Sequence, residues 1–287
     1  MAELKLKEGQ KMIKLYNGEI EILFDQSLKD DGSKRHIYSF IDHNNLTKAG
    51  TPKKQRLTGV TTITGVIDKS RFLIPWAVKL TTQYIRDAIS KGETFSKEEI
   101  ENILVDASMQ HTIKKEKAGD FGTAIHDWAE QFALAKASGK DIDIPEDAPE
   151  EVLNGINAFL EWYNNHDIEF VEAERMVYSR KNGFVGTLDA VAKINGKLYL
   201  IDYKSSNGIY ESHYFQVSAY YKAYQEETGT EFDGAMIIRF GKEDGEFEVK
   251  EITKGSLVKD YKAFKSCLNV KNRLKERQAE WRKSNKK

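Results

Sequence analysis

The chain has 287 residues, 40% of them hydrophobic, with 44 Lys or Arg set against 45 Asp or Glu for a formal net charge of −1. That length and apolar content suffice for a sizeable core, as one large domain or as a domain with an appendage. The balanced charge excludes a globally basic protein and leaves any polyanion to be met by a local patch.

The longest apolar run, Phe72 to Val78, is about seven residues and is interrupted by Pro75, far short of the roughly 18 of a membrane span. No membrane partner is expected. The opening "MAELKLKEGQ" carries no arginine and no apolar h-region. It signals neither secretion nor import, and a cytoplasmic location is the expectation by default. Cys267 is the only cysteine, which excludes an internal disulfide, a zinc cluster and an iron-sulfur centre. Any metal must be held by oxygen and nitrogen.

In chain order, residues 12 to 41 alternate apolar and polar around Asn17-Gly18 and predict a small sheet. "NNLTKAGTPKKQ" reads as a loop. "GVTTITGVIDKSRFLIPWAVKL" joins a β-branched run to an apolar segment that enters a helix near Pro75. Thr61, Thr62 and Trp76 have strand and core positions as their favoured reading, with phosphate contact and base stacking second. Residues 1–118 form the expected appendage.

Asp120 is placed to cap a helix running to about Ser138, with Phe121, Ile125, Trp128, Phe132 and Ala135 as its apolar stripe. Asp147 and Glu150 read as a capping pattern for a helix that turns Val152, Ile156, Phe159, Leu160 and Tyr163 inward. Strands follow near 169–178, 184–194 and 198–205, then a helix from about Ser212 to Thr228 stopped by Gly229. "AMIIRF" and "EFEVKEI" give two more strands, and a last helix from about Ser256 buries Leu257, Tyr261, Phe264 and Leu268. The order describes an α/β sandwich around a mixed sheet. Beyond it, residues 271 to 287 hold eight Lys or Arg against two Glu. A solvated helix end is the favoured reading of that tail and phosphate contact the second.

The chemistry concentrates in "GTLDAVAKINGKLYLIDYKSS", residues 186 to 206. Asn195-Gly196 between alternating runs predicts a two-residue hairpin turn. If Ile194 pairs with Lys197, Asp189 falls opposite Asp202 and Thr187 opposite Lys204, all on one face. Leu188, Ala190, Ala192 and Ile194 then share the other face with Tyr199, Ile201 and Tyr203. Like charges directly opposed destabilise a sheet. A divalent cation would offset them with hard oxygen ligands, Mg²⁺ or Mn²⁺ being suited. A solvated polar face is the competing reading. It is weakened because Asp is disfavoured in strands and because Val191 and Leu200 continue the same face.

Four ordered segments, "FGTAIHDWAE", "AERMVYSRKNGFVGTLDAVA", "LYLIDYKSS" and "FQVSAYYKAY", are similar to the motifs of the PD-(D/E)xK nuclease superfamily, in its RecB-like exonuclease branch. They resemble those of phage and mitochondrial genome maintenance exonucleases and cover about residues 120 to 227. The resemblance implies a restriction-endonuclease-like sandwich, with a nuclease core over 119–252 and a C-terminal helix and basic tail over 253–287. It implies that Asp189 and Asp202 bind metal with His126 as a further ligand, that Lys204 positions or activates water, and that Glu174 supports the site. Gln216 and Tyr220 would brace the site or contact DNA, and Thr123, Thr187 and Ser205 would have DNA-binding or supporting roles.

Taken alone, His126 on a helix is more often a packing histidine. Glu130 one turn on could hold its ring for a metal. Leu188 stands where the family usually has proline, and residues 1–118 match weakly, through "GVTTI" at most.

The activity so implied is metal-dependent DNA hydrolysis with one or two Mg²⁺ or Mn²⁺ ions and no iron-sulfur cluster. It would act from a free single-stranded end in recombination, repair or replication, in a bacterial or phage-infected cell, with a recombination or single-strand-binding protein as a candidate partner. A structure- or sequence-specific endonuclease and a non-catalytic DNA-binding module are the competing readings. A glycosidase-type carboxylate pair does not call for the adjacent lysine.

Overall fold

The computed structural model describes residues 5–29, 34–90, 92, 94–241 and 246–285, without the side chains of residues 118 and 120. Near the N-terminus β1 (Gln10–Leu15), β2 (Ile20–Asp25), β3 (Ile37–Leu46) and β4 (Pro52–Arg56) form an antiparallel sheet in that order. The first turn bends where expected: Tyr16, Asn17 and Gly18 all take positive φ, a conformation that Asn and Gly tolerate best.

β5 (Thr58–Gly59) then leads directly into a one-turn helix α1 (Val60–Thr64). The β-branched run is therefore helical rather than extended. Val60 and Ile63, three residues apart, are buried as a pair on its inner face, and that packing overrides strand propensity. Thr61 and Thr62 turn outward, so the core placement expected for them does not hold.

Two helices build an arm. α2 (Ser70–Ile89) starts five residues before Pro75, which sits inside it, and none of its residues is buried. α3 (Lys97–Ala137) is one helix of 41 residues, begun by a reciprocal cap between Ser96 and Glu99. The expected start at Asp120 is mid-helix, its side chain lying outside the described residues, and the boundary expected at 118/119 falls within α3.

α4 (Glu150–Asn164) is preceded by Pro149 in extended backbone with no side-chain cap, so Asp147 does not play the part expected of it. The remaining elements follow the expected order: β6 (Ile168–Ser179), β7 (Phe184–Ile194), β8 (Lys197–Lys204), α5 (Glu211–Thr228), β9 (Gly234–Phe240), β10 (Phe247–Thr253) and α6 (Lys254–Ser284). Gly229 ends α5 at φ 72°, the left-handed stop that favours glycine.

The main sheet is mixed, in the order β10-β9-β8-β7-β5 with β6 also paired to β7. One layer, from α3 and α4, packs Ile125, Trp128, Phe132, Ile156 and Phe159 on Ala190, Ala192, Ile201 and Tyr203. The other, from α5 and α6, packs Val217, Tyr220, Leu257 and Phe264 on Val177, Leu188, Val191 and Leu200. This is an α/β sandwich with a central mixed sheet flanked by helices.

Candidate active site

The hairpin register is the one the turn dictates: Ile194 pairs with Lys197, and the ladder runs to Ala190 opposite Ile201. There it stops, one pair short of the expected Asp189–Asp202 opposition. The Asp189 carboxylate accepts the Tyr203 backbone N–H at 2.6 Å. That donor is thereby held by a side chain of β7 instead of by the ladder.

β8 turns away to run parallel with β9 as far as Lys204 opposite Arg239. β7 keeps β6 on one side, and at Phe184 and Val185 it takes β5 as a parallel neighbour. The sheet forks. Thr187 is accordingly paired with Met176 on β6 rather than with Lys204. Leu188 packs with Val191 in the α5–α6 layer, not with Ala190 as simple alternation predicts.

A second irregularity meets the fork from the other edge of β7. Glu174 has φ 48°, a left-handed backbone rare for a residue with a side chain. No ladder pair joins it to Asp189, although Ala173–Ala190 and Arg175–Leu188 pair on either side. Strained backbone of this kind persists only where its surroundings over-determine it, and it concentrates at functional sites.

Into this opening α3 brings His126 and Glu130, one turn apart on one face. The His126 Nδ1 lies 3.0 Å from Glu130 Oε1 and its Nε2 3.4 Å from Asp189 Oδ2. One carboxylate orients the ring while the other nitrogen faces the cluster, an arrangement typical of metal-ligating histidines. From the opposite layer α5 brings Gln216, whose Nε2 donates to Asp202 Oδ1 at 3.4 Å and to the Tyr220 hydroxyl at 2.9 Å. Gln216 thus bonds Asp202 and Tyr220 together, and Tyr220 is buried behind it. Lys204 pairs with Asp202 Oδ2 and donates to its neighbour's carbonyl, Tyr203 O, at 3.2 Å.

The electrostatics are those of buried carboxylates set close to an imidazole and an ammonium. Burial raises Asp202 to about 6; Lys204 counters that rise and the charge of Asp189 adds to it. Burial also works against ionisation of Asp189, but His126, Lys204 and the Tyr203 N–H hold its carboxyl below the usual range. Burial raises Glu130 to about 7 against the pull of His126, with Glu174 and Asp189 raising it further. Burial opposes a charged His126, yet Asp189 and Glu130 on its two nitrogens push it up to about 10.

The fit to a divalent cation can be tested on the groups themselves. The Oδ2 of Asp202 is fully buried, and among the described residues its partner is the Lys204 ammonium. His126, Glu130 and Asp189 each offer a ligand atom within 4.8 Å of the others. Oxygen donors with one imidazole suit a hard divalent ion, and the residues present fit one. Glu130, expected only to hold the ring, is thereby a candidate ligand itself.

The remaining expected residues lie around the cluster. The Glu174 side chain is exposed at the rim and shares a hydrogen bond with Glu130. Thr187 has its Oγ1 3.4 Å from the Tyr38 hydroxyl. Thr123 is exposed on α3, three residues before His126, and Ser205 follows β8 half-buried.

Two neighbours escaped the sequence reading. A Cβ on Gly186 would come within 2.5 Å of the Tyr220 ring, so the bare backbone there admits the tyrosine behind Gln216. A glycine inside a strand was the available signal. Tyr38 comes from a different sheet, and nothing local in its sequence marks it.

The sequence profile of the PD-(D/E)XK nuclease superfamily matches residues 98–284, about two-thirds of the chain. The chain belongs to that superfamily. Its nucleases use divalent metals, in keeping with the donor set just described. No curated protein matches the sequence significantly.

Among solved structures, SSO0001 is similar at 16% identity and a TM-score of 0.24, over 41% of this chain and 60% of that one. The chain thus spans less than two-thirds of that neighbour's length. The alkaline exonuclease LHK-Exo from Laribacter hongkongensis is similar at 13% identity and a TM-score of 0.26, over 53% of this chain and 84% of that one. The same enzyme in complex with dAMP is similar at 12% identity and 0.26, over 71% and 95%. Among the described residues no helix is long and apolar enough to cross a membrane.

Proposed function

We propose that this nuclease is a metal-dependent DNA exonuclease that hydrolyses phosphodiester bonds from a free single-stranded end, in recombination, repair or replication. The observation that carries the chemistry is the buried Asp202, with Lys204 ion-paired to one oxygen, beside the Asp189–His126 pair and Glu130. The end-directed mode is supported by the four motifs and their order, which resemble those of RecB-like exonucleases.

Asp189 and Asp202 would hold Mg²⁺ or Mn²⁺ together with His126 or Glu130. One or two such ions would polarise the phosphoryl group and lower the pKa of a bound water. Lys204 is held at the mouth of the cluster by Asp202 and the Tyr203 carbonyl, a placement suited to orienting the attacking water and offsetting charge on the phosphoryl oxygens. Gln216 and Tyr220 fix the Asp202 carboxylate, and Glu130 fixes the His126 ring, so that both point into the fork. Glu174 supports Glu130 from the rim.

The test uses end-labelled linear and circular DNA, single- and double-stranded, with wild type, Asp202→Asn and Lys204→Ala, with and without divalent metal. Wild type should shorten linear single strands only when metal is present and spare the circles. Both variants should be slowed by at least 10²-fold. Variants that digest at the wild-type rate would overturn the site, and cut circles would move the reading to an endonuclease.

A further inference from the structure

A second cleft, of ≈ 430 Å³, opens between the N-terminal sheet, α1 and the last turns of α6. From α6 come Lys271, Lys275, Gln278 and Arg282, a spacing of i, i+4, i+7 and i+11 that puts all four on one helix face. Facing them are Arg56 and the hydroxyl-bearing Thr58 and Thr61. No acidic side chain is among the described lining residues.

The segregation of charge on α6 is the informative feature. Its two last glutamates are engaged on another face, Glu276 by Arg273 at 2.8 Å and Glu280 by Arg273 at 3.1 Å and by Arg277 at 3.5 Å. Among the described lining residues, the cleft side is left with basic and neutral side chains only. Lys275 donates to the Thr58 hydroxyl, and no carboxylate pairs with it among the described residues. Burial, Lys271 and Arg56 all lower its affinity for a proton. Like charges at i, i+4 destabilise a helix, so a stripe of this kind fits a polyanionic ligand that supplies the missing charge.

The cleft leads toward the carboxylate cluster through Tyr38. Tyr38 lines it and its hydroxyl lies 3.4 Å from Thr187 Oγ1, and Thr187 stands two residues, ~7 Å, from Asp189 along β7. Lys271 to Arg282 spans about 16.5 Å at 1.5 Å per helical residue. His36, exposed, and Tyr38 line the cleft, and a basic groove with aromatic rings is how single strands are held without sequence preference.

We propose that this cleft is the track for the phosphodiester backbone of a single DNA strand leading to or from the reaction centre, with Lys271, Lys275, Arg282 and Arg56 as its phosphate contacts. The proposal rests on the nuclease reading only for the identity of the polyanion. It turns the basic tail from a solvated helix end into one wall of a binding site.

The test is fluorescence anisotropy of a labelled single strand and of the matching duplex across a salt series, with the full chain and no divalent metal, so that hydrolysis plays no part. For Lys271→Ala/Lys275→Ala/Arg282→Ala the slope of log K against log salt on the single strand should fall by about 2, near 0.7 per lost phosphate contact. Affinity at low salt should drop at least tenfold. Arg56→Ala, on the opposite wall, should lower the slope by about 0.7, and it keeps the test open if the triple variant folds poorly. Arg273→Ala/Arg277→Ala, on the paired face, should bind within twofold of wild type.

Wild-type slopes in both cleft variants would overturn the proposal, as would an equal fall in the paired-face control. A loss confined to the duplex would overturn the single-strand assignment. Should Asp202→Asn digest DNA like wild type, the nuclease reading falls while this binding result stands by itself.

Discussion

At the fork in the sheet Asp189 and Asp202 are 8% and 0% exposed, whereas along α2 Phe72, Leu73 and Ile74 are 62%, 55% and 61% exposed. One region takes charge into the interior and the other leaves hydrocarbon outside. At the fork the unfavourable burial is sustained by the close-packed layers around it, Leu188, Leu200 and Tyr220 among them. Along the arm these three side chains stay more than half exposed among the described residues, so they contribute little to folding. Local composition alone therefore says little about which region stabilises the fold and which carries out the chemistry.

Replacing side chains in each region sharpens the contrast. Phe264 is fully buried beneath Phe184 and Tyr261, and Phe264→Ala should lower unfolding free energy by about 3–5 kcal/mol in urea titrations. Asp202→Asn should reduce metal-dependent hydrolysis by ~10²–10³-fold without lowering the melting temperature of the metal-free protein, since it replaces a buried charge by a neutral isostere. A fall in stability equal to that of Phe264→Ala would mean that the carboxylate is structural.

Gly186→Ala should act between these extremes. By forcing the Tyr220 ring aside it displaces the brace on Gln216, with a loss of activity of roughly tenfold and a small change in melting temperature.

The pH dependence of stability tests the rim of the site. Burial, with Lys204 and Lys69 nearby, pushes His213 down to about 3, and its Nδ1 accepts the Tyr210 N–H at 3.3 Å. Its folded value lies below the ordinary 6.5, so the unfolded chain binds the extra proton first. Stability attributable to this residue is complete above about 6.5 and is lost as pH falls toward about 3. His213→Gln should give a shallower acid limb over that window. The smallest effect is expected on the arm, where Phe72→Ser should change unfolding free energy by no more than about 0.5 kcal/mol. A large loss there would show that the apolar face is covered in the folded protein.

Most of the core was legible because its signals are local. Asn195-Gly196 sets the hairpin register, Gly229 stops α5, and the stripe from Ile125 to Phe132 marks the inner face of α3. What failed to be legible depends on partners distant in sequence. The fork cannot be read from β7 and β8 alone, since it needs β9 to draw β8 away, β5 to fill the place beside β7, and Glu174 to break the ladder with β6. Tyr38 reaches Thr187 from 149 residues away. The α1 turn reads as a strand by propensity and becomes helical because Val60 and Ile63 have a core to face.

The unbroken course of α3 bears on how the protein can be dissected. The same rod that presents His126 and Glu130 begins at Lys97, so a fragment starting at residue 119 would sever it and also discard β5, the strand lying beside Phe184 and Val185. Trimming the first 118 residues, about two-fifths of the chain, should therefore be felt at the carboxylates as a loosened sheet edge and a frayed support for the imidazole.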